Sequence, residues 1–221
     1  MNDAQNSSSP AVTIAGSPSP KAPGGPVARR VARALAEIFS PGYVVAALLL
    51  AVAATSAESL SQAITMVLIA VTATSVLPMF YIVRGVRRGR WTDKHVIVHS
   101  QRRWPLLIVL LSTAGGTVAL ALAGAPRQLL ALIAAMLASL LVAVPITLLL
   151  HWGISIHALV AAGTAVALCV VFGPALLVTV PVAVAVGWAR VRLGEHTTAQ
   201  VVAGSLVGAA ATGLLFPLLA G

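Results

Sequence analysis

Long apolar stretches, separated by short polar or turn-forming segments, make up most of the chain after residue 39. They cover residues 40–57, 61–83, 104–124, 128–150, 158–173, 174–189 and 198–220. The breaks carry turn or cap residues, as at Glu58-Ser59, Gly124-Ala125-Pro126 and Gly173-Pro174. Because a bilayer offers no water to satisfy backbone polar groups, apolar runs of this length predict helices. The pattern therefore predicts an all-α fold, a polytopic transmembrane bundle of six to seven apolar helices.

The two stretches between residues 158 and 189 are short for membrane crossings. A helix of about 16 residues reaches about 24 Å, whereas the hydrocarbon core is roughly 30 Å thick. We expect either a tilted or shallow hairpin or helix ends that are recessed into the bilayer. A single crossing by 158–189 is the alternative, and Gly173-Pro174 in its middle argues against it.

The first part of the chain has a different composition. Residues 1–28 are rich in Ser, Pro, Ala and Gly and show no apolar periodicity, which predicts a disordered tail. We assign residues 29–221 to the helical bundle. At its start, Val31, Leu35 and Ile38 recur at helical spacing among arginines, which indicates a short interfacial helix or an extension of the first span.

Composition supports the membrane assignment. The chain is 59% hydrophobic and 9% charged, with a mean hydropathy of +0.99. An ordinary soluble domain is about 25% charged and at most about half apolar. This chain has too little polar surface to cover a water-soluble globule, which excludes a cytosolic enzyme. Its one cysteine, Cys169, excludes an intramolecular disulfide and a cysteine-based metal cluster.

The positive charges are concentrated on one side of the predicted bundle. Alternating crossings place 1–39, 84–103, 151–157 and 190–197 on the same side, which we call the basic side. All of the 14 Lys and Arg residues except Arg127 fall there. Cytoplasmic loops carry the Lys and Arg excess. We therefore expect a multi-pass protein of the cell (inner or plasma) membrane with its basic side in the cytoplasm.

The run of arginines from Arg84 to Arg90 has a simple explanation in this setting. Beside a membrane span, such a run is an orientation signal or a contact with anionic lipids far more often than a nucleic-acid site. We expect the bilayer as a partner and no nucleic acid.

Histidine and tryptophan are also confined to the basic side. Tryptophan prefers membrane interfaces, but an interface belt normally decorates both faces. Histidine at membrane depth is costly and indicates a functional site. The residues are His95, His99, His151, His157 and His196 with Trp91, Trp104, Trp152 and Trp188.

The polar groups on this side suit a tetrahedral anion such as phosphate. Arg102 and Arg190, with Arg192 nearby, are fixed cations that bind such oxygens bidentately. His157 and His196 allow one nucleophile and one general acid. The competing interpretation is a zinc site built from three histidines. We disfavour it because the sequence offers no carboxylate cage and no closely spaced His pair apart from His95 and His99.

Three motifs in this region resemble the signature of the type 2 phosphatidic acid phosphatase superfamily, which includes membrane lipid phosphatases, bacterial acid phosphatases and vanadium haloperoxidases. The family pattern runs Lys-x6-Arg-Pro, then Pro-Ser-Gly-His, then Ser-Arg-x5-His-x3-Asp. Here Arg190-x5-His196 is preceded by Ser155-x-His157 and, before that, by the basic loop. The resemblance covers roughly residues 60–220, and the third motif is its most specific part.

The resemblance implies a role for each matching residue. His196 would attack phosphorus and form a phosphohistidine, and His157 would protonate the leaving alkoxide. Arg190 and Arg102 would clamp the phosphate oxygens, and Ser155 would donate to one of them. Such a reaction relies on positioning and charge stabilisation, without a metal or another cofactor. The implied substrate is a lipid-linked phosphate or diphosphate, of the polyprenyl or phosphatidic-acid type.

The chain departs from the family pattern in each motif. His95 replaces the phosphate-binding Lys and supplies positive charge only when protonated, a state that an adjacent anion favours. Replacement of Gly by Ile156 removes a close backbone approach to phosphate. The full set of replacements is His95 for Lys, Arg103 for Pro, Ile154 for Pro, Ile156 for Gly, Ala189 for Ser and Gln200 for Asp.

Gln200 and the two further arginines are expected to support the site. Gln200 lies one helical turn after His196, where its amide is able to orient the imidazole but not to neutralise an imidazolium. Thr197 and Gln200 also fit a capping box at the start of the last helix. This capping role of Gln200 is compatible with its role in orienting His196. Arg103 and Arg192 are the other supporting residues.

These residues support two hypotheses about the function of the chain. The favoured one is a phosphatase, since both histidines and Arg190 are present. The alternative is a degenerate relative that binds anionic lipid headgroups or scaffolds a membrane complex without turnover.

Gly204-x3-Gly208 in the last span packs either within the bundle, which we favour, or against a second protomer in a homodimer.

Overall fold

The computed structural model describes residues 25–90 and 103–221. Within these ranges all regular secondary structure is helical. A π-helical turn, Thr72–Val76, joins the third and fourth helices, and a 3-10 turn, Pro174–Thr179, leads into the eighth. The α-helices are α1 (Pro26–Ile38), α2 (Pro41–Ser56), α3 (Leu60–Val71), α4 (Leu77–Arg87), α5 (Arg103–Leu122), α6 (Arg127–Leu149), α7 (Ile156–Phe172), α8 (Val180–Arg192) and α9 (Thr198–Ala220).

All seven predicted apolar stretches are helical, but not all reach spanning length. Within the described ranges, five helical segments are long and apolar enough to cross a membrane, and α1 with α2, bent by 45°, would make a sixth. Helix α7 has only 17 residues and reaches about 26 Å. The sequence predicts six to seven apolar helices in the bundle. By length and apolarity, the described residues contain five or six that could span a membrane. The five segments are Leu60–Arg87, Arg103–Leu122, Arg127–Leu149, Pro174–Arg192 and Thr198–Ala220.

The predicted break between residues 173 and 174 is confirmed. Helix α7 ends before Gly173, whose φ of +94° lies in a region that residues with a Cβ rarely adopt. Pro174 has no backbone N–H with which to continue α7. The chain therefore forms two helices here rather than one crossing of 158–189.

The N-terminal helix differs from the prediction in two details. Helix α1 begins at Pro26, inside the segment predicted to be disordered, because proline is well suited to the first helical position. Residues 1–24, the rest of that predicted tail, lie outside the described residues. The predicted apolar positions Val31 and Ile38 are exposed, and α1 packs against α8 with Ala32 and Ala36 buried. The small alanines allow close packing, and the larger apolar side chains remain exposed.

Helices α7 and α9 are packed closely through glycines. A Cβ on Gly204 would lie 2.5 Å from the carbonyl oxygen of Ser155, and one on Gly208 would clash with the carbonyl of Leu159. Gly204-x3-Gly208 thus packs within the bundle, as we favoured. The motif therefore gives no support to a homodimer. The homodimer itself stays a prediction.

Hydrogen bonds at both ends of α9 align it with its neighbours. At one end the backbone N–H of Ser155 donates to the carbonyl of Gln200 at 3.2 Å. At the other, Arg127 Nε donates to the carbonyl of Leu219 at 2.8 Å. Loops 150–155 and 193–197, both on the predicted basic side, therefore meet at one end of the bundle.

Candidate active site

A cavity of about 430 Å³ reaches into the bundle from the end where these loops meet. His157, Arg190 and His196 all line it, although they come from α7, α8 and the loop before α9. His157 is 8% exposed and Arg190 is 2% exposed. The structure thus brings together the three residues on which the proposed chemistry depends most.

The turn after α8 holds His196 close to Arg190. Gly194 has a φ of +73°, and its N–H donates to Val191 O at 3.0 Å. The N–H of Glu195 donates to Arg190 O at 3.1 Å, which completes a Schellman motif. The N–H of His196 also lies 3.3 Å from Arg190 O. The helix end itself therefore fixes the backbone of His196 relative to Arg190.

Arg190 forms an ion pair with Glu195 through Nη2 and Oε2. A buried guanidinium is costly unless it is paired, and this carboxylate supplies a partner. Sequence reasoning did not include Glu195 in the site. The sequence feature that could have identified Glu195 is its position, five residues after Arg190 and next to His196.

The first turn of α7 presents His157 to the cavity. Ser155 is the N-cap of this helix, and its Oγ accepts a 3.4 Å hydrogen bond from the N–H of Ala158. It is fully buried and is not part of the cavity wall. Its expected contact with phosphate stays a prediction. The N-terminus of α7 carries partial positive charge, which favours an anion in this end of the cavity.

The capping box predicted at the start of α9 is confirmed. The Thr197 N–H donates to Gln200 Oε1 at 2.9 Å, and the Gln200 N–H donates to Thr197 Oγ1 at 3.3 Å. Gln200 does not line the cavity. The carbonyl oxygen of its side chain serves the cap, and its expected role in orienting His196 stays a prediction.

Arg103 and Arg192, predicted as supporting residues, do not line the cavity. Arg103 is exposed at the start of α5, with its guanidinium 5.6 Å from the ring centre of Trp104. Arg192, in the last turn of α8, is half-buried and also lies off the wall. His95 and Arg102 lie outside the described residues.

Thr147, near the end of α6, is a cavity residue that sequence reasoning missed. It is 2% exposed, and its buried Oγ1 has no hydrogen-bond partner within the described residues. A helical threonine usually bonds the carbonyl one turn back. This hydroxyl is therefore a candidate donor to a ligand. A threonine in an apolar run gives no sequence signal, because it is indistinguishable from a packing residue.

Among residues 25–90 and 103–221, no three His, Cys, Asp or Glu side chains lie together in a way that would hold a metal ion.

Comparisons with protein-family models, curated proteins and solved structures give no significant match to this chain. The assignment of function therefore rests on the residues and their geometry.

Proposed function

We propose that this chain is an integral-membrane phosphatase that hydrolyses a lipid-linked phosphate or diphosphate, and that it is a divergent member of the type 2 phosphatidic acid phosphatase superfamily. One observation carries the proposal: His157, Arg190 and His196, which belong to two separate motifs, line a single cavity. The five or six helices of spanning length support a location in a membrane.

The reaction is a double displacement at phosphorus. A nitrogen of His196 attacks the phosphorus, a P–N bond forms and the P–O bond to the alkoxide breaks. His157 gives its proton to the leaving oxygen and then, as a base, takes a proton from water. That water attacks the phosphohistidine, which releases inorganic phosphate and returns both histidines to their starting states.

Charge stabilisation comes from Arg190 and the end of α7. The equatorial phosphoryl oxygens gain charge in the transition state, and preorganised donors in a low-dielectric cavity stabilise that charge strongly. Glu195 holds the guanidinium group in place through the ion pair. Thr147 Oγ1 is positioned on the same wall to donate a further hydrogen bond.

A second candidate function is binding of an anionic lipid headgroup without turnover. The ion pair between Arg190 and Glu195 leaves less guanidinium charge to stabilise a phosphoryl transition state, which would lower turnover. Gln200, where the family has Asp, also favours it, because an amide does not stabilise an imidazolium.

The positive-inside pattern supports a cytoplasmic active-site face in a cell membrane. Arg127, at the end of the bundle opposite His157 and His196, is hydrogen-bonded to the C-terminal turn of α9. The remaining Lys and Arg residues fall on the predicted basic side.

Phosphate release by purified protein in detergent tests the proposal. Wild type should release phosphate from at least one member of a panel of polyprenyl and glycerolipid phosphates, and vanadate should inhibit it. His196→Ala should abolish release. His151→Ala is the matched control, because His151 is exposed and lies off the cavity wall. Binding of the same lipids by an inert wild type would favour the second candidate.

A further inference from the structure

Helix α1 exposes an apolar face that the rest of the described chain does not cover. Val27, Val31 and Ile38 are 71%, 47% and 64% exposed. At 3.6 residues per turn, their side chains fall within about 40° of one another around the helix. A neighbouring face carries Ala32 and Ala36, which are buried where α1 packs against α8. The contact with α8 therefore uses small side chains, and the large apolar side chains of α1 face away from the bundle.

A basic face lies on the far side of α1 from this apolar face. Arg29, Arg30 and Arg33 are all exposed. They fall within about 100° of one another, and the middle of their face is about 130° from the middle of the apolar face. A helix with one apolar and one Arg-rich face is typical of a membrane surface, where it buries the apolar side chains and attracts anionic lipids. The exposed faces of α1 are therefore complementary to an anionic lipid leaflet.

The place of α1 in the fold agrees with such a contact. Helix α2 begins at Pro41, and α1 is bent by 45° from the axis of α2. Glu37, in the last turn of α1, lines the same cavity as Arg190 and His196. Helix α1 therefore lies at the end of the bundle that holds the candidate active site, which is the predicted basic side.

Packing within the protein holds α1 only weakly. A helix of 13 residues is marginal on its own in water. Its N-cap is Gly25, which has no side chain to bond the first backbone N–H groups. The buried residues of α1 are Ala32 and Ala36, whose side chains bury little apolar area. An external surface that contacts the exposed faces would therefore add a large share of the stability of α1.

We propose that α1 binds an anionic lipid leaflet and that this binding controls the candidate active site through α8. Helix α1 packs against α8, which carries Arg190, and Glu37 of α1 lines the cavity. If α1 left α8, water would reach the Arg190 guanidinium, which is 2% exposed, and weaken its charge stabilisation. The control of activity rests on the proposed function, whereas the binding of lipid rests only on the membrane location.

The position of α1 in lipid nanodiscs tests the binding. The full-length protein, in a Cys169→Ala background, carries a fluorophore on Val31→Cys. The nanodiscs contain phosphatidylcholine, with or without phosphatidylglycerol, and a phospholipid with a quencher on its acyl chain. Quenching should be stronger in the anionic nanodiscs, and high salt should remove the difference, because salt screens exposed charges. Equal quenching in both nanodiscs would overturn the proposal. Shielding of the fluorophore from lipid and aqueous quenchers alike would indicate a protein partner and would also overturn it.

Two sets of substitutions identify the charges responsible. The α1 variant combines Arg29→Gln, Arg30→Gln and Arg33→Gln. Each arginine strengthens binding to an anionic surface about fivefold, so this variant should lose the preference for phosphatidylglycerol. The matched control removes the same charge from exposed positions on the basic side and should keep the preference. It combines Arg84→Gln, Arg87→Gln and Arg88→Gln. Equal loss of the preference in both variants, or in neither, would contradict the role of α1.

Activity in the same nanodiscs tests the control of the site. Displacement of a binding group by about 1 Å can cost 10²-fold in rate, so hydrolysis of soluble p-nitrophenyl phosphate should be at least about tenfold faster in the anionic nanodiscs. The increase should be absent in the α1 variant and present in the control. Hydrolysis at equal rates in both nanodiscs would refute the control of the site by lipid. Lipid-dependent quenching without hydrolysis of any substrate would instead refute the phosphatase and leave the lipid contact of α1 standing.

Discussion

The backbone N–H of Ser155 donates a 3.2 Å hydrogen bond to the carbonyl oxygen of Gln200. This bond joins the N-terminal ends of α7 and α9. His157 follows Ser155 by two residues, and His196 precedes Gln200 by four. The relative position of the two candidate catalytic histidines is thus set by backbone contacts, which substitution of the histidine side chains leaves in place.

The first prediction separates the roles of the two histidines. His157→Asn should lower turnover of an alkyl phosphate by about 10²–10⁴-fold, the usual contribution of a general acid. It should slow the first step on p-nitrophenyl phosphate, measured as the initial release of nitrophenolate, much less, since nitrophenolate leaves without protonation. His196→Ala should abolish turnover of both substrates, as measured by phosphate release. Equal losses in the first step on the two substrates in His157→Asn would contradict the general-acid role.

The second prediction concerns the close contact between α7 and α9. Gly204→Ala should destabilise the protein by about 1–3 kcal/mol, the usual effect of overpacking, because its Cβ would crowd Ser155 O. It should also lower activity by displacing the start of α7. Gly115→Ala is the control, since a Cβ there meets nothing within 4 Å. The control should be neutral or gain up to about 1 kcal/mol from helix propensity. Thermal unfolding in detergent measures both, and equal melting temperatures would refute the close contact.

The third prediction concerns the ion pair between Arg190 and Glu195. Glu195→Gln leaves a buried guanidinium without its carboxylate and should cost about 3–5 kcal/mol of stability. The combined Arg190→Gln and Glu195→Gln variant should lose less than the sum of the two single losses. Glu58→Gln, at an exposed position, should have no effect. Strict additivity of the losses in thermal unfolding would show that the two side chains are not coupled.

The fourth prediction concerns orientation. In a Cys169→Ala background, a cysteine replacing His151 should react with a membrane-impermeant maleimide only from the cytoplasmic side. A cysteine replacing Gln128, at the opposite end of the bundle, should react only from outside. Both positions are exposed. The reverse pattern would place the active-site face outside and overturn the positive-inside assignment.

Features that depend on neighbouring residues were predictable from the sequence. The helix break at Gly173-Pro174 and the Thr197–Gln200 capping box both appear in the structure. Each follows from chemistry within a few residues: a positive φ, a missing N–H, or a side chain that reaches the adjacent backbone. The buried face of α1 was not predictable in this way, because packing against α8 selected Ala32 and Ala36 over larger apolar side chains.

The sequence by itself determined that the chain forms apolar helices, and its motif spacing identified His157, Arg190 and His196 as residues of interest. Tertiary structure decided that these three share a cavity, that Glu195 pairs with Arg190, and that Thr147 belongs to the same space. The reason is physical. In an apolar medium a helix forms because the backbone N–H and C=O groups must form hydrogen bonds with each other within the segment. A cavity depends instead on which helix faces meet and where they fail to fill the space between them.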